Sequence, residues 1–259
     1  MGYLDIDTLK QSLVRRDSGA KSEPPTLVPS EHAHSMAAAA DDIEECYRVL
    51  KRGGTNLVAE VLRGYGTFTE WHHYPPGDIH DPETSSQYYY HAHRPGEHGH
   101  FHTFLRKKGM PRGCRPAPLP ASVERPIGKD AISHIIAISM DKSGYPIRLF
   151  TANRWLVNDT WYKPEYVTEM IDLFDIDHAW PCWATNRWVG AMLRLFRPQI
   201  EWLVAERDEA VRVWQAGHPD SVVYEDRDLD ITSMLDISVE DQIRRVRAFS
   251  GRELSREGV

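Results

Sequence analysis

The chain has 259 residues, 41% of them hydrophobic and 27% charged, with a net charge of −7. That composition suits a globular protein with a sizeable core, and the acidic balance excludes a general nucleic-acid binder, whose phosphate contacts need a basic face. No apolar run reaches the length of a membrane span, the start lacks a basic and apolar leader pattern, and three scattered cysteines form no CxxC pair. The expectation is a cytoplasmic protein without nucleic-acid or membrane partners.

Residues 1–30 read as a flexible N-terminal arm, with a short helix over Ile6–Val14 and then a polar, Pro-containing run. Residues 31–259 read as a single α+β domain. Ser30 is the expected N-cap of a helix running to about Arg52, where Gly53-Gly54 stops it. Met36, Ala40, Ile43, Tyr47 and Leu50 give that helix one buried stripe. His32 and His34 lie in its first turn on different sides, as solvated residues. A second helix covers Asn56–Arg63, and Thr67–Tyr74 is the expected first strand. His72 and His73 are adjacent there, so only one of them can face a shared site. Residues 75–83 form a Pro/Gly loop that carries Asp78 and His80.

The stretch Tyr88–Phe104 holds five of the thirteen histidines: His91, His93, His98, His100 and His102. Their spacing of two on each side of Pro95-Gly96 is the period of a β-strand folded into a hairpin. A tight turn opposes His93 to His98, His91 to His100 and Tyr89 to His102, so all five imidazoles and Tyr89 share one face. Tyr88, Tyr90, Gly99, Phe101 and Thr103 take the other face, toward a core. Opposed Cβ atoms lie roughly 4.5–5.5 Å apart, close enough for two imidazoles to hold one ion.

Beyond the hairpin, Arg106–Arg115 is a basic, Gly/Pro-broken loop of the kind that is usually solvated, close enough to the histidines that anion capture is the alternative reading. A second hairpin pairs Ile132–Met140 with Tyr145–Thr151, and His134 shares a face there with Ile136, Ile138 and Met140, as a core histidine or, on a strand neighbouring the cluster, as another ligand. From Asn153 onward helices dominate: Pro164–Phe174, a helix from Thr185 interrupted near Pro198, and Ser238–Phe249. Residues 175–183 form a loop whose aromatic end is available to line a pocket, and Val222–Tyr224 reads as a short strand. The fold class is α+β: a central antiparallel sheet with the histidine hairpin, N-terminal helices and a helical C-terminal half.

Three resemblances fall on these residues. His91-Ala-His93-Arg-Pro-Gly-Glu97 resembles the first cupin motif, which implies a jelly-roll metal site with Glu97 as its carboxylate. His98-Gly-His100-Phe-His102-Thr-Phe104 resembles the run of the histidine-triad nucleotide hydrolases and transferases, which implies His100 as a nucleophile on phosphorus. Glu97–Phe104 together with Leu149–Trp155 is similar to an uncharacterised family of bacterial cytoplasmic proteins, over residues 65–250. That likeness implies a shared domain and no reaction.

The residues themselves favour a transition-metal site with His91, His93, Glu97, His98 and His100 as ligands. Tyr89 and His102 are then free for catalysis. Imidazoles with a carboxylate suit Zn or Fe(II). The functional expectation is a metal-dependent enzyme for a small anionic molecule. The alternatives are phosphoryl or nucleotidyl transfer through the histidine run, and a non-catalytic metal-binding protein.

Overall fold

The structure, a computed structural model, describes residues 23–257, with side chains through residue 250. The expected helix over Ile6–Val14 and most of the expected arm lie outside the described residues. Strands β1 (Tyr74–His80), β2 (Ser86–His91), β3 (Gly99–Arg106), β4 (Ile132–Met140), β5 (Pro146–Ala152) and β6 (Ile231–Asp236) form one antiparallel sheet in sequential order. The helices are α1 (Ala33–Arg52), α2 (Leu57–Leu62), α3 (Arg154–Val157), α4 (Pro164–Leu173), α5 (Trp183–Leu195), α6 (Arg197–Gly217) and α7 (Val239–Glu257). The α+β class is as expected from the sequence. A sheet whose neighbours all follow in chain order is a meander, and it lacks the Greek-key crossings of a cupin jelly roll.

The two faces of the sheet differ in chemistry. Tyr88, Tyr90 and Phe101 point at the helical layer, where Tyr88 Oη donates to Asn186 Oδ1 of α5 at 2.6 Å and Phe101 packs on Trp188. Ser233 donates to the Leu203 carbonyl of α6 on the same side, and α1 packs outside α5. The buried apolar core lies between this face and the helices. The other face carries Tyr89, His91, His100, His102 and Phe150. It is covered by loops, and every one of these side chains is buried.

Several local expectations change. Thr67–Tyr74 is not a strand; β1 instead runs through Pro75-Pro76-Gly77, the segment read as a loop. An edge strand needs a hydrogen-bonded partner on one side only, which is where proline is tolerated. Ser30 does not cap α1: residues Ser30–His32 form a 3-10 turn, and no side chain caps the helix that follows. Asn56 does cap α2, accepting from Ala59 N–H at 2.9 Å. Proline 198 starts α6 rather than kinking α5. Val223–Glu225 is a 3-10 turn, and the sixth strand, β6, lies between the expected elements Val222–Tyr224 and Ser238–Phe249, where none was expected. Among the described residues no helix is long and apolar enough to cross a membrane.

Candidate metal centre

The β2–β3 ladder pairs Tyr89 with His102 and His91 with His100, in the expected register, and then stops. Residues 92–98 leave the strands as a wider loop than the Pro-Gly turn implied, so His93 and His98 are not a cross-strand pair. Gly99 occupies the point of departure. A Cβ there would stand 2.6 Å from the His91 carbonyl oxygen and 2.6 Å from Tyr90 Oη, so only glycine permits the approach.

His98 accordingly leaves the cluster. Its backbone N–H donates to the Met140 carbonyl, its ring stacks on Phe68 at 5.2 Å, and Nδ1 accepts from Tyr90 Oη at 2.8 Å. It belongs with the Tyr90 side of the hairpin. The expectation that five imidazoles share one face is corrected to four, and the His98–His100–His102 run of the histidine-triad pattern is split.

The remaining imidazoles converge. One nitrogen from each of His91, His100 and His102 lies within 4.8 Å of the others. His100 and His102 have no exposed surface. His93 meets His91 and His100 edge to face at ring separations of 4.7 and 5.0 Å, and it stacks on Trp71 at 4.3 Å. The Nε2 atoms of His93 and His102 are buried with no hydrogen-bond partner among the described residues. Such orphaned polar atoms are costly unless something else satisfies them.

The outer nitrogens set the tautomers. Glu97 Oε1 lies 2.5 Å from His100 Nδ1. A carboxylate can only accept, so the His100 proton sits on Nδ1 and its Nε2 lone pair faces inward. His91 Nε2 then donates to His100 Nε2 across 2.7 Å, a bond that an ion between the two would replace. His102 Nδ1 faces His134 Nε2 at 2.9 Å, which leaves His102 Nε2 for a ligand. Glu97, expected as a ligand, is hydrogen-bonded to His100. His102, expected to stand apart as an acid–base group, belongs with His91 and His100 to the group that could hold a metal ion.

His134 reaches this position through a β-bulge. Thr103 pairs with Ile136 but Phe104 pairs with His134, so β4 carries one extra residue. The insertion turns His134 from the face of Ile136 to the face of His102. Its backbone N–H donates to Asp159 Oδ2 at 3.0 Å. Burial raises the Asp159 carboxyl to about 6, opposed by the His134 N–H and the charge of Arg207.

Burial also governs the imidazoles. It pushes His93 down to about 3, helped by the positive charge that His100 and Arg94 would present. His134 falls to about 3 by burial and then by Arg207. His91, His100 and His102 are lowered by burial first; the neighbouring imidazoles add to this at His91 and His102, while Glu97 opposes it at His100. Burial raises the Glu97 carboxyl, but His100, Ser139 and Arg94 together outweigh it, and the carboxyl lies below the ordinary value. The cluster is neutral imidazole backed by carboxylate, the protonation state that metal ligation requires.

Tyr89 forms one wall. Its ring lies face to face with His73 at 3.6 Å and sits 5.2 Å from His102. Of the adjacent pair, His73 is the one that faces the site, edge-on to His91 at 5.4 Å. Asp78 touches the site only through it, with Asp78 Oδ1 accepting from His73 Nδ1 at 3.0 Å and Oδ2 from Gln87 at 2.6 Å. His80 is exposed on the edge strand. The basic loop is elsewhere: Arg106 donates to Gln87, Lys107 to the Cys114 carbonyl and Lys108 to the Pro82 carbonyl, at the far end of β3 from His100. The Trp180 end of the 175–183 loop packs on Asn186, behind the opposite face.

Residues 37–237 match the family described as "Domain of unknown function (DUF6969)". The chain belongs to this family. No curated protein and no solved structure matches it. An uncharacterised family was the resemblance read from Glu97–Phe104 and Leu149–Trp155, and both segments lie inside the matched region of this DUF6969 member. The family carries no named reaction, so its chemistry has to be argued from the histidine centre.

Proposed function

We propose that this protein is a transition-metal-dependent enzyme acting on a small anionic molecule. The observation that carries the reading is the inward convergence of His91, His100 and His102, with His100 and His102 held by outer partners that turn Nε2 inward. Ligating histidines are generally oriented in this way by a carboxylate or another acceptor on the second nitrogen. An all-nitrogen triad fits zinc best, since zinc accepts three imidazoles and keeps a fourth position for water or substrate. Fe(II) is the second choice, because its common enzymatic sites include a carboxylate ligand and Glu97 is taken by His100.

A recessed triad supports catalysis over storage. A carrier for several ions would gain from exposed ligands, whereas these are buried beneath the loop of residues 92–98. Chemically, an ion here would polarise a bound oxygen or lower the pKa of a bound water. Tyr89, His93 and His73 stand around it as the groups that contact whatever occupies the open position. The test is elemental analysis of untagged protein, followed by Zn(II) and Fe(II) uptake at neutral pH. One ion per chain is expected, with loss on His100→Ala or His102→Ala; a wild type that takes up neither ion ends the proposal.

A further inference from the structure

The basic loop that the sequence offered for anion capture lies at the wrong end of β3, but a different cation lies beside the histidines. Arg94 follows His93 on the loop that covers the cluster. Its guanidinium sits 5.0 Å above the centre of the Phe150 ring. Phe150 in turn presents itself edge-on to His100 at 5.2 Å and to His102 at 5.9 Å. Arg94 is therefore folded inward over the same patch of sheet, when the ordinary disposition of an arginine beside a Pro-Gly turn is outward into water.

That inward placement is not explained by a partner in the protein. Arg94 Nη1 is buried and has no hydrogen-bond partner among the described residues. Asp230 and Glu97 act on Arg94 only as nearby charges, and no ion pair joins either of them to it among the described residues. Glu97 is committed to His100. A guanidinium nitrogen buried without an acceptor costs free energy that a ring contact with Phe150 offsets only in part.

The charge balance gives the orphan a meaning. With neutral imidazoles, a divalent ion at the triad and the Arg94 guanidinium together carry three positive charges, against the two carboxylates of Glu97 and Asp230 that act on Arg94. A surplus of positive charge in a poorly solvated site calls for an anion. The planar fork of arginine pairs with two oxygens of a carboxylate or phosphate at once.

We propose that Arg94 is the anion receptor of this centre, binding the oxyanion group of the substrate while the rest of that molecule lies against the histidine triad. The proposal rests on the metal reading above and adds the residue that selects the substrate by charge. Carboxylate and phosphate share the required chemistry, and the experiment separates them.

The protein is loaded with Co(II), whose visible spectrum reports changes at the ion, and titrated in separate arms with acetate and with inorganic phosphate. Wild type and Arg94→Gln are compared, with Arg94→Lys as a variant that keeps the charge but loses the fork. Arg94→Gln is expected to take up Co(II) with unchanged stoichiometry and to bind the responding anion about 30-fold more weakly, the loss of a charge-assisted hydrogen bond. Arg94→Lys is expected to fall between the two. The arm that responds names the oxyanion. If Co(II) binds but neither anion changes the wild-type spectrum, the anion proposal fails and the metal reading stands. The same holds if Arg94→Gln responds as the wild type does, including when that variant melts at lower temperature, because Arg94 is then only a packing residue. If the wild type takes up no Co(II), Zn(II) or Fe(II), the metal reading itself fails and takes this proposal with it.

Discussion

His102 Nδ1 and His134 Nε2 lie 2.9 Å apart although their residues sit on different strands, 32 positions apart in sequence. The contact exists because β4 is one residue longer than β3 between Thr103 and Phe104. It makes a residue of a hydrophobic strand the orienting partner of His102, a ligand in the proposed metal site. Removing such a partner generally weakens metal binding by roughly 10–100-fold. His134→Ala should show that loss in a chelator competition, with one ion per chain still bound at saturating metal. An unchanged affinity would show that His102 is held by packing alone.

Glu97 makes the corresponding contact to His100 and also supplies the negative charge beneath the cluster. Glu97→Gln keeps an acceptor but removes the charge, whereas Glu97→Ala removes both. The expected order of metal affinity is wild type, then Glu97→Gln, then Glu97→Ala, spanning about 10–100-fold overall. If Glu97 were instead a ligand, Glu97→Gln would be as damaging as a histidine deletion, and the Co(II) spectrum of that variant would show a changed ligand set.

Much of this was legible in the chain. Alternation at two across residues 88–104 put His91, His100, His102 and Tyr89 on one face in the correct register, because side-chain direction in a strand follows from spacing alone. Where pairing ends is a different matter. Loop width depends on how residues 92–98 pack on Trp71, Phe68 and Phe150, contacts made far away in sequence. His98 was misplaced for that reason. The face of His134 is not legible because a bulge has no signature in a mostly apolar strand such as Ile132–Met140. The inward fold of Arg94 has no sequence signal, because a cation beside a Pro-Gly pair is ordinarily solvated.

The buried imidazoles make the metal-free protein sensitive to acid. Burial lowers His93 and His134 to about 3, against roughly 6.5 in an unfolded chain. The unfolded state therefore binds more protons between those values, and stability falls as pH drops through that window, by at most about 1.4 kcal/mol per pH unit for each such histidine. Above 6.5 both states are neutral at these positions and the contribution is fully present. Thermal melts of metal-free protein from pH 7.5 to 5 should show a falling Tm, with a shallower fall for His134→Gln. A bound ion competes with protons and should move the fall to lower pH. A flat profile for metal-free protein would mean that the cluster opens to water.

Gly99→Ala probes the hairpin rather than the ion. The added Cβ would meet the His91 carbonyl and the Tyr90 hydroxyl at 2.6 Å, and relief requires the loop to move away from β2. A destabilisation of about 1–3 kcal/mol is expected from such overpacking, measured by urea unfolding. Metal affinity should fall with it, because His91 and His100 are paired across the same point. Retained stability would show that residues 92–98 yield easily.

His93 decides whether the centre has three protein ligands or four. Its Nε2 is orphaned and its ring touches those of His91 and His100, yet its nitrogens lie outside the convergent triad. Trp71 holds it in a stack from the other side. A three-ligand ion with an open position leaves His93 to hydrogen-bond whatever fills that position, the arrangement an enzyme needs. His93→Ala should then keep one Co(II) per chain, with an affinity no more than about 100-fold below wild type, the span of a partner that is not itself a ligand. Its spectrum should still respond to added anion. His100→Ala, by contrast, should lose the ion. A His93→Ala protein that fails to hold the ion, while remaining folded by circular dichroism, would mean that four imidazoles saturate it. The centre would then be a closed site, and the case for catalysis would go with the open position.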